Sequence, residues 1–266
     1  MSISVKATGE HKLKVQLDEL QNRWTKVEFK VKQYKEDKEG VYILVELDDL
    51  YNELDESLAA INMILGNRYV QVMRDKAEKL KKELNNLNNA VEGWVKCQRD
   101  WIYLENIFAS PEIKRVLQND TKMFESVNKF FTQLMVKTQK QPLPMKLTKN
   151  QPNLVEQLTQ QNANLEIIQK NLDKYLETKR GIFPRFYFLS KDELLTILAN
   201  SENYLVIQQF MKQLFDGLVK LEITDTDVTK MYSKEGECID FTRAVKLKPA
   251  VEQWLVGVQD AMRDTI

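Results

Sequence analysis

The spacing of apolar residues changes several times along the chain, and each change marks an element. From about Glu10 to Trp24 the residues Leu13, Leu17, Leu20 and Trp24 recur every three or four positions, which predicts a helix with one apolar face. The period then drops to two. Val27, Phe29 and Val31 alternate with Glu28 and Lys30, Glu36 to Gly40 reads as a turn, and Val41 to Val45 is a strand-forming run, so a short hairpin is predicted near 27–45. Leu47 to Leu65 returns to the helical period and stops at Gly66-Asn67. The longest signal follows, with Met73, Leu80, Leu87, Trp94, Trp101 and Phe108 at one heptad position and Val70, Ala77, Leu84 and Val91 at the other. One helix of about 38 residues would extend roughly 57 Å, against a radius of gyration of roughly 18 Å for a compact chain of this length, so an elongated molecule is expected. Gly93 costs that helix about 1 kcal/mol against alanine and leaves room for a bend, though the burial of neighbouring Trp94 is enough to outweigh it.

Ser110-Pro111-Glu112 sets an N-cap before a proline at the first helical position, which ends the long helix at Ala109 and opens a short one. A helix from near Asp120 carries Phe124, Val127, Phe131 and Leu134. Pro142, Pro144 and Pro152 make 138–152 read as a surface connection and the internal boundary. Leu154, Leu158, Leu165, Ile168, Leu172 and Tyr175 then mark a second long helix to about Lys179. Phe183 to Leu189 is dense in aromatics, extended around its proline, and expected to be mostly buried. Ser190 with Glu193 forms a capping box for a helix from Lys191 to Asn200, and Tyr204 to Asp216 reads as a further helix closed by Gly217. Val228 to Tyr232 and Cys238 to Phe241 flank Lys234-Glu235-Gly236 as a second hairpin near 228–241. A last helix runs from about Pro249 to Met262. The fold class predicted is mainly α: helical bundles with one or two small β-hairpin insertions, one bundle over 1–137, a connecting loop over 138–152 and a second bundle over 153–266.

Composition narrows the function classes. The chain has 266 residues, 43% of them hydrophobic and 29% charged, enough to bury a sizeable core and too apolar for disorder. Lys and Arg total 39, as do Asp and Glu, and the zero formal charge argues against nucleic acid or an anionic membrane as a partner. Cys97 and Cys238 suit two small buried hydrophobes, both free thiols, in a reducing compartment. No apolar run approaches the roughly 20 residues that span a bilayer, and Met1 to Lys14 lacks the apolar stretch of a signal peptide. Both chain ends fall within charged helical patterns, and an excised piece of a larger chain is expected.

Candidate chemistry is sparse. No two glycines lie closer than Gly217 and Gly236, which leaves neither a dinucleotide-binding GxGxxG nor a phosphate-cradling GxxxxGK[ST]. His11 is the single histidine and sits in a charged stretch, so nucleophilic triads lack a credible base. Cys97, Cys238 and His11 lack zinc spacing, and Asp48-Asp49 and Asp225/Asp227 lack a calcium-loop pattern. Asp192-Glu193 fits the helix dipole better than acid–base work. No catalytic, cofactor-binding or metal-ligating residue is nominated. Trp94 and Trp101, seven apart beside leucines, suit a core better than an aromatic platform. Phe183 to Leu189 suits a lock between two helices better than a ligand patch, and Arg185 within it needs a buried acceptor or a snorkelling path. The second hairpin has little core of its own, which makes it a candidate contact point.

The run Phe183-Pro184-Arg185-Phe186-Tyr187-Phe188-Leu189-Ser190-Lys191-Asp192-Glu193-Leu194-Leu195, followed by Ile197-Leu198, resembles the most recognisable stretch of the dynein heavy chain linker. It is joined in order by Trp94 through Gln98, Trp101, Tyr103-Leu104-Glu105 and Ile107-Phe108, by Tyr175-Leu176-Glu177 with Lys179-Arg180, by Ser233-Lys234-Glu235-Gly236-Glu237, and by Val251-Glu252 with Trp254-Leu255. Together they cover nearly the whole chain. The wording from Phe188 to Glu193, and Tyr34 to Leu65 with Leu54-Asp55-Glu56-Ser57, is similar to ciliary (axonemal) dyneins more than to cytoplasmic ones. Lys191, where the family usually has Asn, and Gly93 are departures that leave the capping logic intact.

The resemblance implies an elongated bent rod of helical bundles, a mechanical element coupling the ATPase cycle of a motor ring to movement along microtubules in ciliary and flagellar beating. The segment is then no enzyme and holds no cofactor; ATP and Mg belong to the parent motor ring beyond Ile266. Implied partners are the parent chain's ATPase ring, dynein intermediate and light chains through the parent tail, and microtubules indirectly, with no nucleic acid and no membrane. The implied location is the cytoplasm and cytoskeleton, in the axoneme of a cilium or flagellum. In the family a linker hairpin touches the ring, and Val228 to Phe241 is the candidate, with Met231, Lys234, Glu235 and Gly236 at the contact. The alternative is a passive helical scaffold or tethering module. The aromatic run, the hairpin and the absence of a fixed-period repeat speak against it.

Overall fold

The computed structural model describes residues 3–266, with side chains from Lys6 onward. Helix α1 (Ile3–Arg23) leads through Trp24 to a two-stranded antiparallel ladder of β1 (Lys30–Gln33) and β2 (Tyr42–Val45), in register from Lys30 opposite Val45 to Gln33 opposite Tyr42. This is the first predicted hairpin. Helix α2 (Asp48–Leu65) opens with Asp48 and Asp49, which complement the positive helix terminus. Helix α3 (Arg74–Ile107) spans 34 residues and passes through Gly93 without interruption, after a 3-10 turn at Gln71–Met73. A short α4 (Pro111–Val116) and a long α5 (Gln118–Lys140) follow, then α6 (Pro144–Asn150) and α7 (Leu154–Ile182).

Most of the connecting loop expected over 138–152 is helical: its first residues end α5, and Pro144–Asn150 is α6. Pro144 sits at the start of a helix, where its missing N–H costs nothing, and Pro144, Met145, Leu147 and Thr148 are buried. The three prolines bracket helices here and do not interrupt one.

Beyond α7, the run Pro184–Phe188 is a 3-10 turn, followed by α8 (Lys191–Ala199). The single helix expected from Tyr204 to Asp216 is two short ones, α9 (Tyr204–Gln208) and α10 (Met211–Leu214). Gly217, at φ +77°, then turns the chain into a strand that lies outside the predicted elements. The predicted second hairpin is therefore two strands of a three-stranded antiparallel sheet in the order β3-β4-β5: β3 (Leu218–Ile223), β4 (Asp227–Ser233) and β5 (Cys238–Lys246). Val219, Leu221 and Ile223 of β3 alternate with Lys220 and Glu222, but the run is short, and a register shift between Leu218 and Lys220 sets the buried residues Leu218 and Leu221 three apart. Helix α11 (Val251–Thr265) closes the chain.

The chain forms two compact units, residues 1–103 with 123–166 and residues 104–122 with 167–266. Their borders fall inside α3, α5 and α7, and not at the proline-rich segment. In the first unit the core is built from Leu17, Leu54, Ile61, Leu84, Leu87 and Trp94, all at most 1% exposed. In the second, Phe183, Phe186, Ile197, Leu214, Trp254 and Val258 are fully buried. There α11 crosses close over β5: a Cβ on Gly257 would meet Val245 Cγ1 at 2.8 Å.

Candidate functional site

The aromatic run shows how local geometry sorts a sequence motif. Phe183 is held extended (φ −126°, ψ 91°) by the proline after it, and the 3-10 turn then repeats every three residues. Phe183, Phe186 and Leu189 thus face inward at 0–3% exposure, while Tyr187 and Phe188 stand at 61% and 67%. The expectation of an extended, mostly buried run is corrected accordingly: three side chains anchor it and two aromatics remain on the surface. Phe183 meets Phe186 edge-on at 5.0 Å and Phe215 at 6.0 Å.

Arg185 finds the acceptors that its position demands. Its Nη1 donates to the Leu214 carbonyl (2.9 Å) and its Nε to Gln259 Oε1 (3.1 Å), with the guanidinium 4.8 Å from the Phe215 ring centre. Arg180 lies over the Tyr187 ring, and Tyr187 Oη donates to Glu177 (3.0 Å). Arg180 first, then Tyr187, hold the Glu177 carboxyl below its usual range, while that same hydrogen bond pushes the Tyr187 phenol up. The capping box forms as predicted: Ser190 Oγ accepts from Glu193 N–H, and Glu193 accepts from Ser190 N–H at 2.8 Å. Gln213 also donates to Glu193 (2.8 Å) and, with Ser190, lowers its carboxyl.

Both tryptophans of α3 are core. Trp94 packs edge-on to Phe29 at 5.3 Å; Trp101 stacks on Phe131 at 4.5 Å and donates its indole N–H to Asn128 (2.9 Å). Between them Gln98 does what sequence inspection missed. Its amide accepts from Leu44 N–H (2.8 Å) and donates to Leu44 C=O (2.9 Å), fastening β2 to the long helix.

The candidate contact set divides. Lys234, Glu235 and Gly236 occupy the exposed β4–β5 turn, whereas Met231 is 6% exposed and belongs to the buried face. Gly236 has φ +87°, and Ser233 Oγ accepts from the N–H groups of both Glu235 and Glu237 at 3.2 Å, so the turn is rigidly tied. Behind it, Tyr232 Oη donates to Glu222 (2.9 Å), which raises the phenol, and Lys230 pairs with Asp240 (3.1 Å), which raises the ammonium.

Cys238, expected to be buried, is exposed on the edge strand β5, while Cys97 is buried and its thiol pushed up to about 12 by desolvation. A disulfide-exchange reagent should therefore titrate one thiol rapidly in the native chain, and Cys238→Ser should remove that fast phase. Two fast thiols would overturn the assignment of Cys97 to the core.

Sequence reasoning also missed a buried ion pair. Lys179 of α7 and Glu252 of α11 bond directly, with side-chain exposures of 18% and 3%. They border a cavity of about 170 Å³ together with Glu112, Arg115, Tyr175 and Ser201. Burial first, then the Glu252 and Glu112 charges, push the Tyr175 phenol up to about 12. Both ion-pair residues lie in the quoted motifs, but only folding shows them as partners. His11 is exposed, and no cluster of three or more His, Cys, Asp or Glu among the described residues could hold a metal ion.

The family described as dynein heavy chain, N-terminal region 2, matches residues 1–266. Dynein axonemal heavy chain 6 of Homo sapiens is 36% identical over 280 residues, covering 98% of this chain and 7% of the relative. Dynein axonemal heavy chain 2 of Mus musculus is 35% identical across 99% of this chain and 6% of its own length. For dynein axonemal heavy chain 12 of Rattus norvegicus the figures are 32%, 99% and 9%. The chain spans less than a tenth of the length of these relatives.

Proposed function

Given that the chain belongs to the dynein heavy chain family, as an N-terminal region 2 of axonemal type, we propose that it is the linker. In that role it is a mechanical segment coupling the ATPase cycle of the parent's motor ring to movement along microtubules in a cilium or flagellum. ATP and Mg act in the parent ring, and this segment carries load without chemistry of its own. Its partners are that ring directly, microtubules indirectly, and intermediate and light chains through the parent tail.

The observation that carries the reading is the β4–β5 turn. Lys234, Glu235 and Gly236 protrude from a three-stranded sheet braced by α11, and the turn is tied by the Ser233 hydroxyl. A rigid charged tip of this kind can press on another surface without yielding. The test is microtubule gliding by the parent heavy chain carrying Gly236→Val, measured beside its ATP turnover. A β-branched residue is strained at φ +87°, so the tip deforms. Gliding should slow severalfold while ATP turnover continues. Gliding equal to that of the unaltered chain would count against the contact and favour a passive scaffold.

A further inference from the structure

An outer strand exposes a row of main-chain N–H and C=O groups that can template another strand. β3 is such a strand, and among the described residues one side chain bonds to its open edge: Gln208 of α9 accepts from Leu221 N–H (3.0 Å) and donates to Leu221 C=O. A primary amide offers the same donor and acceptor as a peptide unit, so Gln208 stands where a residue of a neighbouring strand would. The element carrying it is slight. α9 has five residues, no side-chain N-cap, and Leu205 on it is 80% exposed. Between α9 and β3 lies a groove of about 510 Å³ walled by Tyr204, Leu205, Lys220 and Ile223.

The sequence of β3 identifies the occupant. Pair two copies antiparallel about a twofold axis at Leu221, and Lys220 of each faces Glu222 of the other, with Val219 facing Ile223 beyond. Leu221 then exchanges both main-chain hydrogen bonds with its counterpart, because its N–H and C=O already point to the open edge. The Lys220–Glu222 pairs fall at the closer positions, with Cα atoms about 4.5 Å apart, where opposite charges attract. A register centred on Lys220 or on Glu222 would set like charges directly opposite. Of the registers centred on Lys220, Leu221 and Glu222, the one on Leu221 sets opposite charges face to face, and its interface is isologous.

We propose that the β3 edge is a self-association surface for a second copy of this chain, gated by Gln208, which must swing aside with α9 before the strands pair. Sedimentation velocity over a concentration series of the 266-residue chain tests this. Gln208→Ala should dimerise at least tenfold more tightly than the unaltered chain. Adding Lys220→Glu to that variant sets carboxylates against each other and should abolish the dimer, and adding Glu222→Lys as well should restore it. If Gln208→Ala loses its cooperative melt, Gln208→Glu carries the same test. It keeps the side-chain length and the acceptor for Leu221 N–H, and sets a carboxylate against the Leu221 carbonyl. A folded opened-gate variant that stays monomeric, or a dimer indifferent to the charge reversal, overturns the proposal.

Discussion

Replacing Trp101 with alanine should lower the unfolding free energy of the chain by about 3–5 kcal/mol. The indole is 1% exposed, stacked on Phe131 at 4.5 Å, tilted against Tyr34 at 5.1 Å, and bonded to Asn128 at 2.9 Å. Truncation removes the transfer energy of the ring system and leaves a cavity that α3, α5 and the β1–β2 ladder cannot close without repacking. Trp101→Phe separates the contributions: it keeps an aromatic ring between Tyr34 and Phe131 and loses the N–H bond and part of the volume. Its loss should stay within about 1–2 kcal/mol, because the half-buried Asn128 can turn to water. Chemical denaturation of the two variants beside the parent sequence measures both values. A Trp101→Ala loss below about 1 kcal/mol would place the residue outside the core and reopen the aromatic-platform reading.

Lys179→Met should cost nearly as much, about 3–4 kcal/mol, the lower part of the range for breaking a buried pair, because the lysine keeps some solvent access. Methionine conserves length and apolar stem, so the loss is electrostatic in origin. Glu252 is 2% exposed, and its second carboxylate oxygen has no hydrogen-bond partner among the described residues, so removing Lys179 takes away the ion-pair partner of a buried charge. Adding Glu252→Leu should recover most of the loss, since removing both charges removes the desolvation penalty as well. A double-mutant cycle in denaturant reads this directly. Equal stability of Lys179→Met and the parent would mean that the pair behaves as a solvated one. The Lys230–Asp240 pair illustrates that case: with side chains 40% and 73% exposed, it is screened by solvent and adds little to stability.

The sequence by itself determined the features whose causes are local. The heptad run of α3 and the apolar stripe of α7 are helical because their spacing buries one face, and Gly93 does not interrupt α3 because the flanking contacts outweigh one glycine. Asn162 even uses the exposed backbone there, donating to the Gly93 carbonyl at 2.9 Å. The capping box at Ser190 and Glu193, the turn at Gly236 and the core placement of Trp94 and Trp101 were legible for the same reason. The family likeness was legible too, since it rests on residue wording.

Tertiary structure decided the rest, wherever the cause lies far along the chain. Three residues of the aromatic run turn inward because a 3-10 turn imposes period three, and distant partners, Phe215 on Phe183 and Gln259 on Arg185, hold it in place. β3 alternates over only five residues, Val219 to Ile223, and its pairing with β4 is what makes it a strand, while α6 hides behind prolines that flank a helix buried against other elements. Gln98 on Leu44, 54 residues away, and Lys179 on Glu252, 73 away, are ordinary surface-type residues until folding places a partner beside them. A polar side chain declares its role only through the group it satisfies, and hydrophobic periodicity carries no record of that group.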